Sequence, residues 1–198
     1  MNSGPRPGPL AGIKVVEFGQ NLAGPSCGQI LAFLGAEVVK VERPEGDDAR
    51  KWGPPFIEGD AVGFIALNRG KKSITCDLAN PADREALIER IGGADIFVHN
   101  LRADVPAKFG IDGPTLTKRF PRMIYGDLGA FGHLGPWKER PGYEPIIQAV
   151  AGLISLNGDP RAPRPASACR SSTCRPACGR LSACWPHSPS ARRPVEAA

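Results

Sequence analysis

A chain of 198 residues with 41% hydrophobic and 23% charged residues is long enough for one domain with a proper core, and its composition is that of a soluble globular protein. No apolar run approaches the ~20 residues that cross a bilayer, and residues 1–9 lack the basic-then-apolar order of a signal peptide, which points to the cytoplasm and away from a membrane. The net charge of +5 raises nucleic acid as a partner, but seven Arg and one Glu give residues 161–198 a balance of +6, against 18 basic and 19 acidic residues before them, so no nucleic-acid surface is expected in the body of the chain.

In chain order, strand-like and helix-like segments alternate, the pattern of an α/β fold with an open, mostly parallel Rossmann-like sheet and flanking helices. Ile13 to Phe18 is a β-branched run suited to a buried strand and ends at Gly19. Gly24-Pro25 opens a helix with Ile30, Leu31, Phe33 and Leu34 clustered on one side, Gly35 supplies a left-handed cap, and Glu37 to Val41 is the second strand. Arg43 to Gly59 reads as a long polar loop, followed by a short apolar segment from Val62 to Leu67. Ser73 to Leu78 is a third strand; Asn80-Pro81 caps a helix that runs to about Ile91 and ends at Gly92-Gly93. Asp95 to His99 is a fourth strand, with His99 a packed residue. Two short helices and a fifth strand, Met123 to Leu128, follow, and a glycine-rich loop leads to a helix from about Glu144 to Leu153.

The composition then changes. Residues 161–198 hold eight Ala, seven Arg, six Pro, six Ser and four Cys, with a single Leu and a single Val. Such a segment buries too little apolar surface to offset the entropy of ordering it, so disorder is expected there. Cys174, Cys178 and His187 offer a zinc site as the competing reading, against the lack of any strand or helix periodicity around them.

Neither G-x-G-x-x-G nor a P-loop is present, which removes the best support for hydride or phosphoryl transfer. What stands out is polar residues placed just after strands: Gln20-Asn21, Glu42-Arg43, and Asn100 with Arg102. In an open parallel sheet these fall at the carboxyl edge, where ligands bind. On general grounds an Arg there is more often a solvated charge, and Asn100 is equally suited to capping the helix after it.

The strings LAGIKVVEFGQNLAGPSCGQILAFLGAEVVKVERPEGDDAR, NRGKKSITCDL, ADIFVHNLR, GDLGAFGHLGPWKERPGYEPIIQAVAGL and NGDP, in this order over about residues 8–160, together resemble the N-terminal part of the class III CoA-transferases, a group related to the α-methylacyl-CoA racemases. The resemblance implies an acyl-CoA:carboxylate CoA-transferase with CoA and acyl-CoA as substrates, a carboxylic acid as the second reactant, and no permanently bound cofactor or metal. It implies that Gln20, Asn21, Leu22 and Arg43 contact the adenine and phosphates, that Asn100, Leu101 and Arg102 lie along the CoA site, and that Lys108 faces phosphate. Racemases of the group have a Gly-His-Asp segment where this chain reads Gly142-Tyr143-Glu144. Tyrosine there favours the transferase and marks Glu144 as an auxiliary acid near the thioester; a carboxylate placed to suit a helix N-terminus is the competing reading.

The resemblance also implies a nucleophilic Asp in a Val-Asp-x-x-Thr-Gly context, but Pro165 to Gly179 contains no Asp or Glu. A shifted reading frame after about Pro160 would explain the lost motif, the cysteine and charge discontinuity and the missing periodicity together. The expectation is therefore a CoA-binding body, residues 8–160, with a non-native tail, 161–198, and little or no turnover; a non-catalytic CoA-binding remnant and a racemase-like enzyme are the alternatives. The resemblance further implies an interlocked homodimer of longer chains, which this chain is not expected to form properly.

Overall fold

The computed structural model describes residues 8–156. The expectations for residues 161–198, including order, reading frame, the missing Asp motif and the zinc alternative, lie outside the described residues. The elements run β1 (Lys14–Phe18), α1 (Ala23–Phe33), β2 (Glu37–Glu42), a 3-10 turn (Asp48–Lys51), β3 (Phe56–Ile57), β4 (Asp60–Ala61), α2 (Val62–Asn68), β5 (Lys72–Thr75), α3 (Pro81–Gly92), β6 (Ile96–His99), α4 (Asp104–Phe109), α5 (Gly113–Arg119), β7 (Ile124–Asp127), α6 (Glu144–Val150) and a final 3-10 turn (Leu153–Leu156).

Five strands pair in the order β5-β2-β1-β6-β7, all parallel. The β3-β4 pair is a separate antiparallel hairpin. Alternate side chains of the central strands feed two apolar layers, as expected of parallel strands covered on both faces. Val15, Val38, Ile96 and Val98 pack with Cys27 and Leu31 of α1. Val16, Phe18, Val41 and Phe97 pack with Leu87 and Ile91 of α3 and Leu116 of α5. His99 is fully buried in the second layer, its Nε2 2.5 Å from the Tyr125 hydroxyl and its Nδ1 accepting from Leu101 N–H. Burial, with the Asp127 charge, raises the Tyr125 phenol above its ordinary value.

Several boundaries follow from local chemistry. The Asn80 side chain accepts from Ala82 N–H and Pro81 occupies the first turn of α3, the capping that the sequence predicts. Gly35 has φ +98 after α1. The third strand of the sheet stops at Thr75, earlier than expected, because the Asp77 carboxylate accepts from Ala79 N–H and the Asp83 carboxylate from Asp77 N–H, turning the chain out of the sheet. Helix α6 ends at Val150, before Gly152 at φ +77, rather than at Leu153. The stretch 43–59, expected as plain loop, holds the first 3-10 turn and one strand of the hairpin.

Candidate functional site

The strand order reverses direction between β1 and β6: the chain builds outward through β2 to β5, then returns to the far side of β1. This is the topological switch point, where the connections leaving two adjacent strands diverge and open a crevice. A cleft of about 1010 Å³ lies there. Residues that follow all five strands of the sheet line it, together with the 129–142 loop and the start of α6.

Seven of the eight expected CoA contacts line this cleft: Gln20, Asn21, Leu22, Arg43, Asn100, Leu101 and Arg102. They come from the ends of β1, β2 and β6. Glu144 also lines it, as the first residue of α6, with Gln148 Nε2 3.2 Å from its Oε1. Lys108 is not among the lining residues; it is exposed on α4 with its ammonium 5.2 Å from the Phe109 ring centroid. Short helix α4 turns that side chain outward while Val105 and Phe109 face the cleft.

The geometry assigns different tasks to these residues. Arg43 is 38% exposed and donates to the Gly46 carbonyl at 3.0 Å and to Asp48. Arg102 is 75% exposed and pairs with Asp104 at 3.1 Å. The carboxylate partners of both guanidiniums are therefore solvent-screened, and an anionic ligand can replace them at small cost. Asn100 caps no helix, since Ala103 precedes α4. Its amide instead bridges the switch point, accepting from Gln20 N–H and donating to Gln20 C=O, both at 2.8 Å.

Beneath the cleft lies a group of charges that the sequence analysis did not single out. Glu17 of β1 and Lys40 of β2 are register partners and are fully buried on the α1 side of the sheet. Lys40 Nζ contacts Asp47 Oδ2 at 2.9 Å, Glu17 Oε1 at 3.5 Å and the Gly19 carbonyl at 2.7 Å. Lys71 Nζ contacts Glu17 Oε2 at 2.6 Å and donates to the carbonyl of Pro25 at 2.7 Å and to Asn68 Oδ1 at 3.0 Å. Burial holds the Lys71 ammonium below its ordinary value, with Glu17 opposing that shift. The signal for this cluster was available: a single Glu and a single Lys, of opposite sign, each inside an apolar run of adjacent parallel strands.

A second ion group braces the segment that carries Arg43. Arg50 Nη2 binds Glu42 Oε1 and Nη1 binds Asp60 Oδ2, each at 2.7 Å, and its guanidinium carbon sits 4.0 Å from the Phe64 ring centroid. Desolvation alone would raise the Glu42 carboxyl, but hydrogen bonds from Arg50, Ser73 and Asp47 N–H, with the Arg50 charge, bring it down to about 2. A carboxyl lowered in the folded state stabilises fully above its unfolded value, near 4.5, and loses that contribution as pH falls towards 2. The urea midpoint is therefore expected to drop across that window, and Glu42→Gln to show a flatter dependence there; parallel curves would remove Glu42 as the titrating group.

Among the described residues no cluster of His, Cys, Asp or Glu is arranged to hold a metal, and no helix is long and apolar enough to cross a membrane.

The family model for CoA-transferase family III matches residues 10–174, a span that runs past residue 160 into the arginine-rich segment. The chain is 42% identical over 159 residues to the succinate–glutarate CoA-transferase of Agrobacterium fabrum, covering 77% of this chain and 40% of that protein. It is 37% identical over 160 residues to the human succinyl-CoA:glutarate CoA-transferase, covering 78% of this chain and 36% of that one. A crystal structure of a CAIB/BAIF family protein from Brucella suis superposes with a TM-score of 0.83 at 40% identity, over 90% of this chain and 50% of that one. The chain thus spans about two fifths of the length of these curated relatives.

Proposed function

Since this chain belongs to CoA-transferase family III, we propose that its cleft binds the CoA portion of an acyl-CoA, and that the activity it serves is transfer of CoA from a thioester to a carboxylic acid. The observation that carries this reading is convergence: seven residues expected to contact CoA, drawn from three strand ends, line one cleft at the switch point. Arg43 and Arg102 would exchange Asp48 and Asp104 for ligand phosphates, while Leu22 and Leu101 provide apolar contact. Their carboxylate partners keep the empty arginines solvated and oriented, so little reorganisation opposes binding.

The family reaction needs a carboxylate nucleophile, which attacks the acyl carbonyl to give a mixed anhydride and free CoA thiolate; anhydride and thioester exchange then deliver CoA to the acceptor. Because Pro165 to Gly179 holds no Asp or Glu, we read this chain as binding CoA without turning it over, with the division between body and tail near residue 160. Glu144 would lie beside the thioester as an auxiliary acid. A racemase-like activity has less support, since Tyr143 occupies the position of the racemase His and is 68% exposed.

Calorimetry with CoA and an exchange assay with succinyl-CoA and glutarate test both halves of the reading. The native chain is expected to bind CoA, Arg43→Ala to bind it about tenfold more weakly through loss of one charged contact, and neither to exchange above background. Absent or unaltered binding would remove the site, and robust exchange would remove the lost-nucleophile reading.

A further inference from the structure

The loop between β1 and the first turn of α1, residues 19–25, presents Gln20, Asn21 and Leu22 to the cleft. Loops of this kind ordinarily hold their shape through their own turns. Here the backbone is held from outside. Lys40, from β2, donates to the Gly19 carbonyl at 2.7 Å. Asn100, after β6, takes both the N–H and the C=O of Gln20 at 2.8 Å. Asp47 Oδ1, from the segment after β2, accepts from Asn21 N–H at 2.9 Å. Lys71, at the entrance to β5, donates to the Pro25 carbonyl at 2.7 Å. Glu17 joins the two ammoniums, and the second oxygen of Asp47 binds Lys40, so the charged anchors form one connected network, with Asn100 holding the loop separately from the other side.

We propose that Asp47, Lys40 and Asn100 are positioning residues that hold loop 19–25 in its ligand-binding shape, with Asp47 the anchor that fixes Asn21. Asn21 has φ +63, a left-handed conformation uncommon for residues with a side chain but tolerated best by Asn and Asp. Its N–H is fixed there by a carboxylate that also accepts from Ala49 N–H at 3.0 Å and binds Lys40 at 2.9 Å. A buried charge cluster is a costly way to fill a core, since apolar side chains of the same volume usually stabilise at least as well. What the charges provide in addition is a set of strong, directional hydrogen bonds to backbone groups of one loop. A loop ordered before the ligand arrives loses less entropy on binding. The role of Asn100 widens accordingly: one donor and one acceptor site of its amide are engaged by Gln20, so it shapes the site as well as lining it.

The binding part of this inference rests on the CoA reading, whereas the ordering part does not. Amide hydrogen exchange and CoA calorimetry are measured on the native chain, Asp47→Ala and Asp47→Asn. In Asp47→Ala, amides of residues 20–23 are expected to exchange about tenfold faster or more, while those of β1, β2 and β6 keep their protection, and CoA affinity falls about tenfold. Asp47→Asn keeps a side-chain oxygen for the N–H groups of Asn21 and Ala49 but turns its NH2 towards Lys40, so it is expected to restore part of the loop protection and affinity that Asp47→Ala loses. Should Asp47→Ala fail to fold, Asn100→Ala, which leaves the buried charges intact, gives the same local readout. Unchanged protection of residues 20–23, or loss spread evenly over the sheet, would overturn the proposal. A native chain that ignores CoA would instead overturn the CoA reading, with the exchange pattern still deciding whether the loop is clamped.

Discussion

Lys40→Met is expected to lower folding stability by about 3–5 kcal/mol, the usual consequence of removing one partner from a buried ion group. The side chain is 1% exposed and touches two carboxylates, Glu17 and Asp47, which are themselves buried. Methionine matches the length of the stem but leaves Lys71 as the one cation facing Glu17 and none facing Asp47. Against the 5–15 kcal/mol available to a domain of this size, such a loss is a large share of the total. Urea unfolding of the single variant and of Lys40→Met/Asp47→Asn gives the check. The double variant, which also removes a negative charge, is expected to recover about 1–2 kcal/mol. A single-variant loss below about 1 kcal/mol would show that the ammonium is not the hub of the cluster.

Gly28→Ala should be nearly as damaging, although alanine is the better helix former. A methyl built on Gly28 would lie 1.9 Å from Glu17 Oε2, 2.8 Å from its carboxyl carbon and 3.3 Å from Lys71 Nζ. The carboxylate cannot withdraw, since Lys71 and Lys40 hold it on either side. Helix α1 must lift off the sheet or the ion group must break, at a cost of about 2–4 kcal/mol. Gly63→Ala, in α2, has nothing within 4 Å of the added methyl and is the matched control. It is expected to stabilise slightly by propensity, by about 0.5–1 kcal/mol. If the two glycines respond alike to urea, close packing of α1 over Glu17 is not what the first one serves.

The two substitutions also indicate which parts of the molecule were legible in its sequence. The five strands of the sheet, the capping of α3 by Asn80-Pro81 and the left-handed Gly35 follow from local chemistry: β-branched runs, an Asx cap and an unhindered backbone. The polar residues at strand ends were visible too, and parallel order alone brings Gln20, Arg43 and Asn100 to one edge. Less legible was what depends on pairing between distant segments. The Asn100 amide reads as a helix cap until Gln20 is placed beside it. Lys108, expected to face phosphate, stands exposed on α4 outside the cleft lining, a placement its sequence neighbours do not announce. Asp47 lies in a stretch that reads only as a long polar loop, with nothing local to set it apart. Only the fold buries it under Asn21 and against Lys40. The hairpin at the end of the long loop escaped because strands of two residues carry no periodicity to detect.

The bridge between Gln20 and Asn100 joins residues 80 positions apart, whereas the other anchors of the loop span 21, 26 and 46 positions. Contacts that close long stretches of chain carry the greater entropic cost and tend to be the slower to form. The cleft is therefore expected to be a late product of folding: β1, β2 and β5 can associate early, but the loop has its full set of anchors only when β6 docks against β1. A ligand that requires all of them binds the finished sheet and ignores partly assembled states. By mass action it then protects the complete form in proportion to its own concentration, so the abundance of the folded domain would follow the supply of the molecule it binds.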